Sequence, residues 1–229
     1  MLRWRDIRRK VLRACVPGLP LVASLATAAC VGNGPDQRQA RIVPSPQAFY
    51  AGPSCEARLR DREVRFTPLS DRFYGAGCAT VDAVRLVGLR SDGGTILVSG
   101  LGPLTCPMAE RMAAWGRFGI DRAAREYLGS PLQRIETMGS YNCRDVAGTD
   151  RRSAHATANA VDVSGFVLAN GERITVLGDW NAGSSAQRAF LRVIRTSACK
   201  RFSTVLSPDY NPAHRDHLHV EIGVGQACR

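Results

Sequence analysis

Six cysteines, Cys55, Cys78, Cys106, Cys143, Cys199 and Cys228, are spread through everything that follows the first 54 residues of a 229-residue chain. No other feature constrains the fold as much. An even set in an exported chain reads as three disulfides, and each one ties together two points distant in sequence. Counting alone leaves the connectivity open. Cys199–Cys228 is favoured because it would pin a tail that otherwise frays. Cys55–Cys78 follows on proximity alone. No C-x-x-C occurs, so neither a thiol redox site nor a thiolate zinc site is indicated.

The other two cysteines, Cys15 and Cys30, fall in a segment that reads as an export signal. Residues 1–13 carry six basic side chains and one acid, and residues 14–29 are apolar and uncharged. That is the order of a signal peptide over 1–30. Pro17, Pro20 and the short apolar run argue against a spanning helix. Arg8-Arg9 resembles a twin-arginine signal, with Ile7 where Ser or Thr is usual. Thr27-Ala28-Ala29-Cys30 resembles a lipobox, with Thr where Leu is usual, which would make Cys30 a lipid anchor. Cleavage after Ala28 or Ala29 fits as well. The expected compartment is the periplasm or cell envelope. Residues 31–54, rich in Gly, Pro and Gln, read as a flexible tether, and residues 55–229 as the folded domain.

The formal net charge is +11. Only two of the basic residues, Lys10 and Lys200, are lysines, so the excess is almost all arginine. Basicity draws a protein to polyanions, but the export signal and the lack of lysine interleaved with aromatics disfavour nucleic acid.

Pattern reading gives an α+β domain, an antiparallel sheet with helices packed on it. Strands at 81–89 and 95–99 flank Ser91-Asp92-Gly93-Gly94 as a hairpin. Pro107 opens a helix carrying Met108, Met112 and Trp115 on one face. Asp121 is expected to cap a continuation ended by Gly129. Strands follow at 133–138 and 160–163, then at 167–168 and 173–177 around a turn. Ser184-x-x-Gln187 is a capping box for a helix to about Lys200, and strands at 203–206 and 217–222 close the chain.

All four histidines lie in two short segments, His155 in SAHATANAVDV and His214, His217 and His219 in HRDHLH. Histidine used as core filler would be scattered. In an extended chain His217 and His219 point to one face, roughly 6.5–7 Å apart, while Leu218 points inward. Neutral imidazole and carboxylate are both good zinc ligands, and two histidines with one aspartate leave a fourth tetrahedral position for water. His217 beside that water would act as general base. His214 would hydrogen-bond an oxyanion or orient His217. Tyr141 and Trp180 read either as cleft walls or as core. Asp216 is expected to face away unless it accepts from a histidine, and Glu221 continues the His217–His219 face.

Ser153-x-His155-x6-Asp162 together with His217-x-His219 resembles the LAS group of zinc peptidases, which includes D-Ala-D-Ala carboxypeptidases and murein endopeptidase A. The H-x-x-H-x-H run is most similar to murein endopeptidase A. Cys106-Pro107, GSYNCR at 139–144, SAHATANAVDVSGF at 153–166, Ala198-Cys199 and HRDHLHVEIG at 214–223 resemble the bacterial extensin-like C-terminal domain family. The resemblance spans residues 55–229. It implies a LAS/hedgehog-like fold, with His155, Asp162 and His219 holding Zn2+ and His217 as base or its partner. It also implies that Arg144 anchors substrate carbonyl or carboxylate groups. Ala158 departs from S-x-H-x-x-G-x-A-x-D at its glycine, at a cost of about 1 kcal/mol if that position needs positive φ.

The function expected is a zinc-dependent peptidoglycan peptidase acting on peptide stems, an endopeptidase cutting cross-links that involve D-amino acids. A D,D-carboxypeptidase of the same fold and a non-catalytic wall-binding module are the alternatives.

Overall fold

The computed structural model describes residues 54–229. The expected signal peptide and nearly all of the tether lie outside the described residues. Ser54 caps α1 (Cys55–Asp61) through the backbone N–H of Ala57, at 3.2 Å from its Oγ, so the helix starts at the first paired cysteine.

The strands are β1 (Arg65–Pro68), β2 (Arg72–Gly75), β3 (Cys78–Thr80), β4 (Ala83–Arg90), β5 (Thr95–Ser99), β6 (Pro103–Thr105), β7 (Leu132–Gly139), β8 (Ala160–Leu168), β9 (Arg173–Thr175), β10 (Thr204–Leu206), β11 (Leu218–Glu221) and β12 (Ala227–Cys228). β2 and β3 pair only with each other. The rest form one sheet in the order β1-β4-β5-β7-β8-β11-β10-β12, with β6 on β4 and β9 on β8. It is mostly antiparallel. β5 and β7 run parallel, as do β10 and β12. The β5–β7 pair needs a crossover, which α2 (Cys106–Trp115) and α3 (Arg122–Leu128) supply.

One face of the sheet is packed by helices. Leu86, Ile96, Ile135, Val161, Val163, Leu218 and Val220 meet Met108, Met112 and Trp115 of α2 in a single buried core. Phe190, Leu191 and Ile194 of α5 (Ser185–Cys199) belong to the same core. Fully burying a side chain of this size contributes roughly 1.5–3 kcal/mol. Trp115 also donates its indole N–H to the Ile194 carbonyl at 3.0 Å, so the one polar atom of a fully buried ring is satisfied.

Several expectations are corrected. Asp121 caps nothing. The chain runs through a π-helical stretch, Gly116–Asp121, without a break. Asp121, fully buried, instead accepts the Leu132 N–H at 2.9 Å and pairs with Arg125 at 3.2 Å. Gly129 ends α3 with φ +68, as anticipated. The two short strands expected at 160–163 and 167–168 are one continuous β8, because Gly165 continues the ladder where a Cβ would lie 2.8 Å from Glu136 Oε2. α4 (Val176–Ala182) occupies residues partly expected as strand. The capping box at Ser184 and Gln187 forms on α5, with both of its bonds present.

The three disulfides are Cys55–Cys106, Cys78–Cys143 and Cys199–Cys228. The last is the pair expected. Cys55–Cys78 does not form. α1 packs on α2, which puts Cys55 beside Cys106, while Cys78 on the separate β2–β3 hairpin reaches the loop after β7.

Candidate metal centre

Strand alternation decides where the polar side chains go. Leu218 and Val220 enter the core, so His219 and Glu221 stand on the opposite face. Val161 and Val163 enter it likewise, so Asp162 stands on that same opposite face. β8 and β11 are antiparallel neighbours with Asp162 directly opposite His219.

His155 arrives from a loop. Its 3-10 turn, Ala154–Thr157, is capped by Ser153, whose Oγ accepts the His155 N–H at 3.3 Å. The turn ends at Ala158, which has φ +56 and is fully buried. This is the position where the resembled pattern has glycine, a residue that adopts such a left-handed conformation at less cost than alanine. Ala158 is held there by its N–H on the His155 carbonyl, 3.2 Å, and by its own carbonyl accepting from Thr105 N, 3.0 Å.

The three side chains converge. His155 Nε2 lies 3.3 Å from both His219 Nδ1 and Asp162 Oδ2, and His219 Nδ1 lies 2.9 Å from Asp162 Oδ1. The ligand atoms of the trio all fall within 4.8 Å of one another. His155 is 3% exposed and His219 8%, which keeps bulk water off the cluster. The spacing fits zinc. Corners of a tetrahedron at zinc–nitrogen distances of about 2.0–2.1 Å stand roughly 3.4 Å apart, close to the separation of the two imidazole nitrogens.

The opposite ring nitrogens are held as well. His155 Nδ1 donates to the Ser140 carbonyl at 3.2 Å, and His219 Nε2 to Glu221 Oε2 at 3.0 Å. Bonds of this kind fix which nitrogen faces a metal. Burial pushes His219 toward the neutral form, but bonds and charge from Asp162 and Glu221 outweigh it and raise its pKa to about 9. Burial likewise opposes the ionised form of Asp162. The two imidazoles nonetheless hold it well below the usual carboxylate range.

His217, 9% exposed, puts Nε2 3.5 Å from Asp162 Oδ1 at the edge of the trio. Its Nδ1 donates to Asp216 Oδ1 at 2.9 Å. Asp216 thus holds the imidazole with Nε2 directed at the cluster. His214 sits on the 3-10 turn Pro212–His214, with ring centroids 5.1 Å from His217 and 6.0 Å from His219. Burial, then the neighbouring His217 and His219, then the Arg144 charge, depress its pKa to about 4. Arg144 is exposed, one residue beyond the Cys78–Cys143 bridge, and its carbonyl accepts the Ser153 N–H at 3.1 Å. Asp145 pairs with Arg152, not with Arg144, at 3.0 Å.

Trp180 is core, 1% exposed, with its N–H on Asp209 Oδ1 at 2.8 Å. Tyr141 is half-buried against Tyr74, ring centroids 5.3 Å apart. Asn211 and Ser140 carry no signal in the sequence: one acts through a turn and the other through a backbone carbonyl.

An α+β domain braced by three disulfides, with a His–Asp–His cluster on the face of its sheet opposite the main core, is the class these features define. Residues 53–229 match the family described as Extensin-like protein C-terminus. The chain belongs to that family. No curated protein and no solved structure matches it. Three disulfides indicate an oxidising compartment, extracellular or in the envelope. No helix among the described residues is long and apolar enough to cross a membrane.

Proposed function

We propose that the chain is an exported zinc-dependent peptidoglycan peptidase of the periplasm or cell envelope, an endopeptidase acting on cross-linking peptide stems. The convergence of His155, Asp162 and His219 within 4.8 Å, with His217 Nε2 at their edge, carries this reading. The motif pair and the H-x-x-H-x-H run support a relation to LAS peptidases and a LAS/hedgehog-like fold. The endopeptidase choice over a D,D-carboxypeptidase rests on that run.

His155 Nε2, Asp162 and His219 Nδ1 would hold the ion. Zinc, when bound, polarises a scissile carbonyl and lowers the pKa of a water toward about 7. The protein's own groups do the rest. His217 Nε2 takes the proton from the attacking water and returns it to the amide nitrogen as the peptide bond breaks. Asp216 holds His217 through Nδ1 and steadies the imidazolium formed in between. Asp216 is itself held as a carboxylate chiefly by the bond from His217. Arg144, exposed at the rim, offers a fork of N–H donors to substrate carbonyl or carboxylate oxygens.

Isolated sacculi incubated with zinc-loaded protein are expected to release soluble muropeptides, and chelation is expected to stop this. Sacculi left intact by protein shown to contain zinc would favour a non-catalytic wall-binding module.

A further inference from the structure

We infer that Asn211 sets His214 as a hydrogen-bond acceptor, and that His214 Nε2 receives an amide N–H of the bound peptide. The first half is a chain of donors and acceptors. Asn211 Oδ1 takes the backbone N–H of Ala213 at 3.1 Å. A backbone N–H only donates, so the oxygen end of the amide faces that way. The same oxygen lies 2.7 Å from His214 Nδ1. Two acceptors do not share a hydrogen bond, so Nδ1 carries the hydrogen. A neutral imidazole has one donor and one acceptor nitrogen, which leaves the lone pair on Nε2.

Among the described residues no group bonds His214 Nε2. The ring packs near His217 and Tyr210, centroids 5.1 and 5.6 Å away, and stands 6.0 Å from His219. An open acceptor beside the cluster selects for a donor, and a peptide supplies one at each amide. An oxyanion has no hydrogen to give and would meet a lone pair. Stabilising it therefore falls to donors such as Arg144, not to His214. Asn211 is a positioning residue: it touches no substrate and acts through the tautomer it imposes.

The identity of the ligand rests on the peptidase reading; the tautomer does not. Nitrogen-15 long-range NMR of the zinc-loaded protein at pH 7 is expected to show His214 neutral and protonated at Nδ1. Asn211→Leu should lose that preference. Asn211→Asp, which keeps both acceptor and cap, should retain the Nδ1 hydrogen, so a fold defect is separated from a lost tautomer. A wild-type His214 protonated at Nε2, or doubly protonated, overturns the proposal.

Binding is then measured with His217→Ala protein, which should hold peptide stems while cutting them about 10²–10⁴-fold more slowly. The probes are stem peptides N-methylated at one amide at a time. One methylation is expected to weaken binding about fivefold, the worth of one hydrogen bond, and that penalty should vanish when His214→Ala is added. Equal penalties with and without His214 overturn the substrate half. Failure of wild-type protein to cut the unmethylated parent is a separate result that counts against the peptidase reading.

Discussion

Asp162 and His219 stand directly opposite each other on neighbouring antiparallel strands, with Asp162 Oδ1 2.9 Å from His219 Nδ1. The sheet itself thus brings two of the three candidate ligands together, and only His155 depends on a loop. Cross-strand register is hard to change, because a one-residue slip would turn Val161 and Val220 out of the core.

Glu221 should tune metal affinity without touching the ion. Its carboxylate accepts from His219 Nε2 at 3.0 Å. Glu221→Ala is expected to weaken zinc binding about 10–100-fold, the usual effect of losing such a partner. Glu221→Gln keeps an acceptor and should lose less. Competition against a chromogenic chelator measures both, and equal affinities for wild type and Glu221→Ala would contradict the role.

Ala158 should be a position where glycine is better. It sits at φ +56, where a Cβ is strained by roughly 1 kcal/mol or more. Ala158→Gly removes that strain but gives up a buried methyl and frees the unfolded chain. The expected net is a stabilisation of up to about 1 kcal/mol in denaturant unfolding, with zinc binding unchanged. A loss of more than about 1 kcal/mol would mean the methyl group matters more than the strain.

The clustering of His155, Asp162 and His219 was legible in the sequence because it draws on rare residues. Four histidines in two short segments, with an aspartate seven residues after the first of them, leave few arrangements. The Cys199–Cys228 bridge was legible because a cysteine one residue from the C-terminus holds a tail that would otherwise fray; closeness in sequence was no guide, since Cys55–Cys78 does not form. Cys55–Cys106 and Cys78–Cys143 were not, since they follow from α1 packing on α2 and from the placement of the β2–β3 hairpin. α4 was missed because Gly178 and Asn181 are weak helix formers. Its start depends on Thr175 Oγ1 accepting from Gly178 N and on Asp179 reaching back to Thr175 N at 2.7 Å. Asp121 looked like a cap because aspartate before a helical run usually is one. Tertiary contacts used it instead to satisfy the Leu132 N–H.

The Cys78–Cys143 bridge should serve the substrate side more than the metal. It closes 65 residues and fixes the segment that precedes Arg144. Replacing both cysteines with serine is expected to cost about 2–5 kcal/mol of stability. At a temperature where the variant stays folded, zinc content should hold while KM for muropeptides rises. Loss of zinc in a folded variant would show that the bridge supports the cluster instead.

His219→Ala should lose zinc and hydrolysis together, whereas His217→Ala should keep zinc near one ion per chain. The geometry separates them: His219 Nδ1 is within the trio, while His217 Nε2 stands at its edge, 3.5 Å from Asp162. Equal zinc loss in elemental analysis of the two purified variants would reverse the assignment.

The most direct test is mass spectrometry of the products formed from a defined cross-linked muropeptide dimer by zinc-loaded wild-type protein and by His217→Ala. The account predicts monomers from the wild type whose masses sum to that of the dimer plus one water, with the hydroxyl on the acyl side of the cross-link amide and the hydrogen on the freed amine. It predicts a rate about 10²–10⁴-fold lower for the variant at unchanged zinc content, the usual cost of losing a general base. An intact dimer with zinc-replete wild type, or equal cleavage by both proteins, would contradict it.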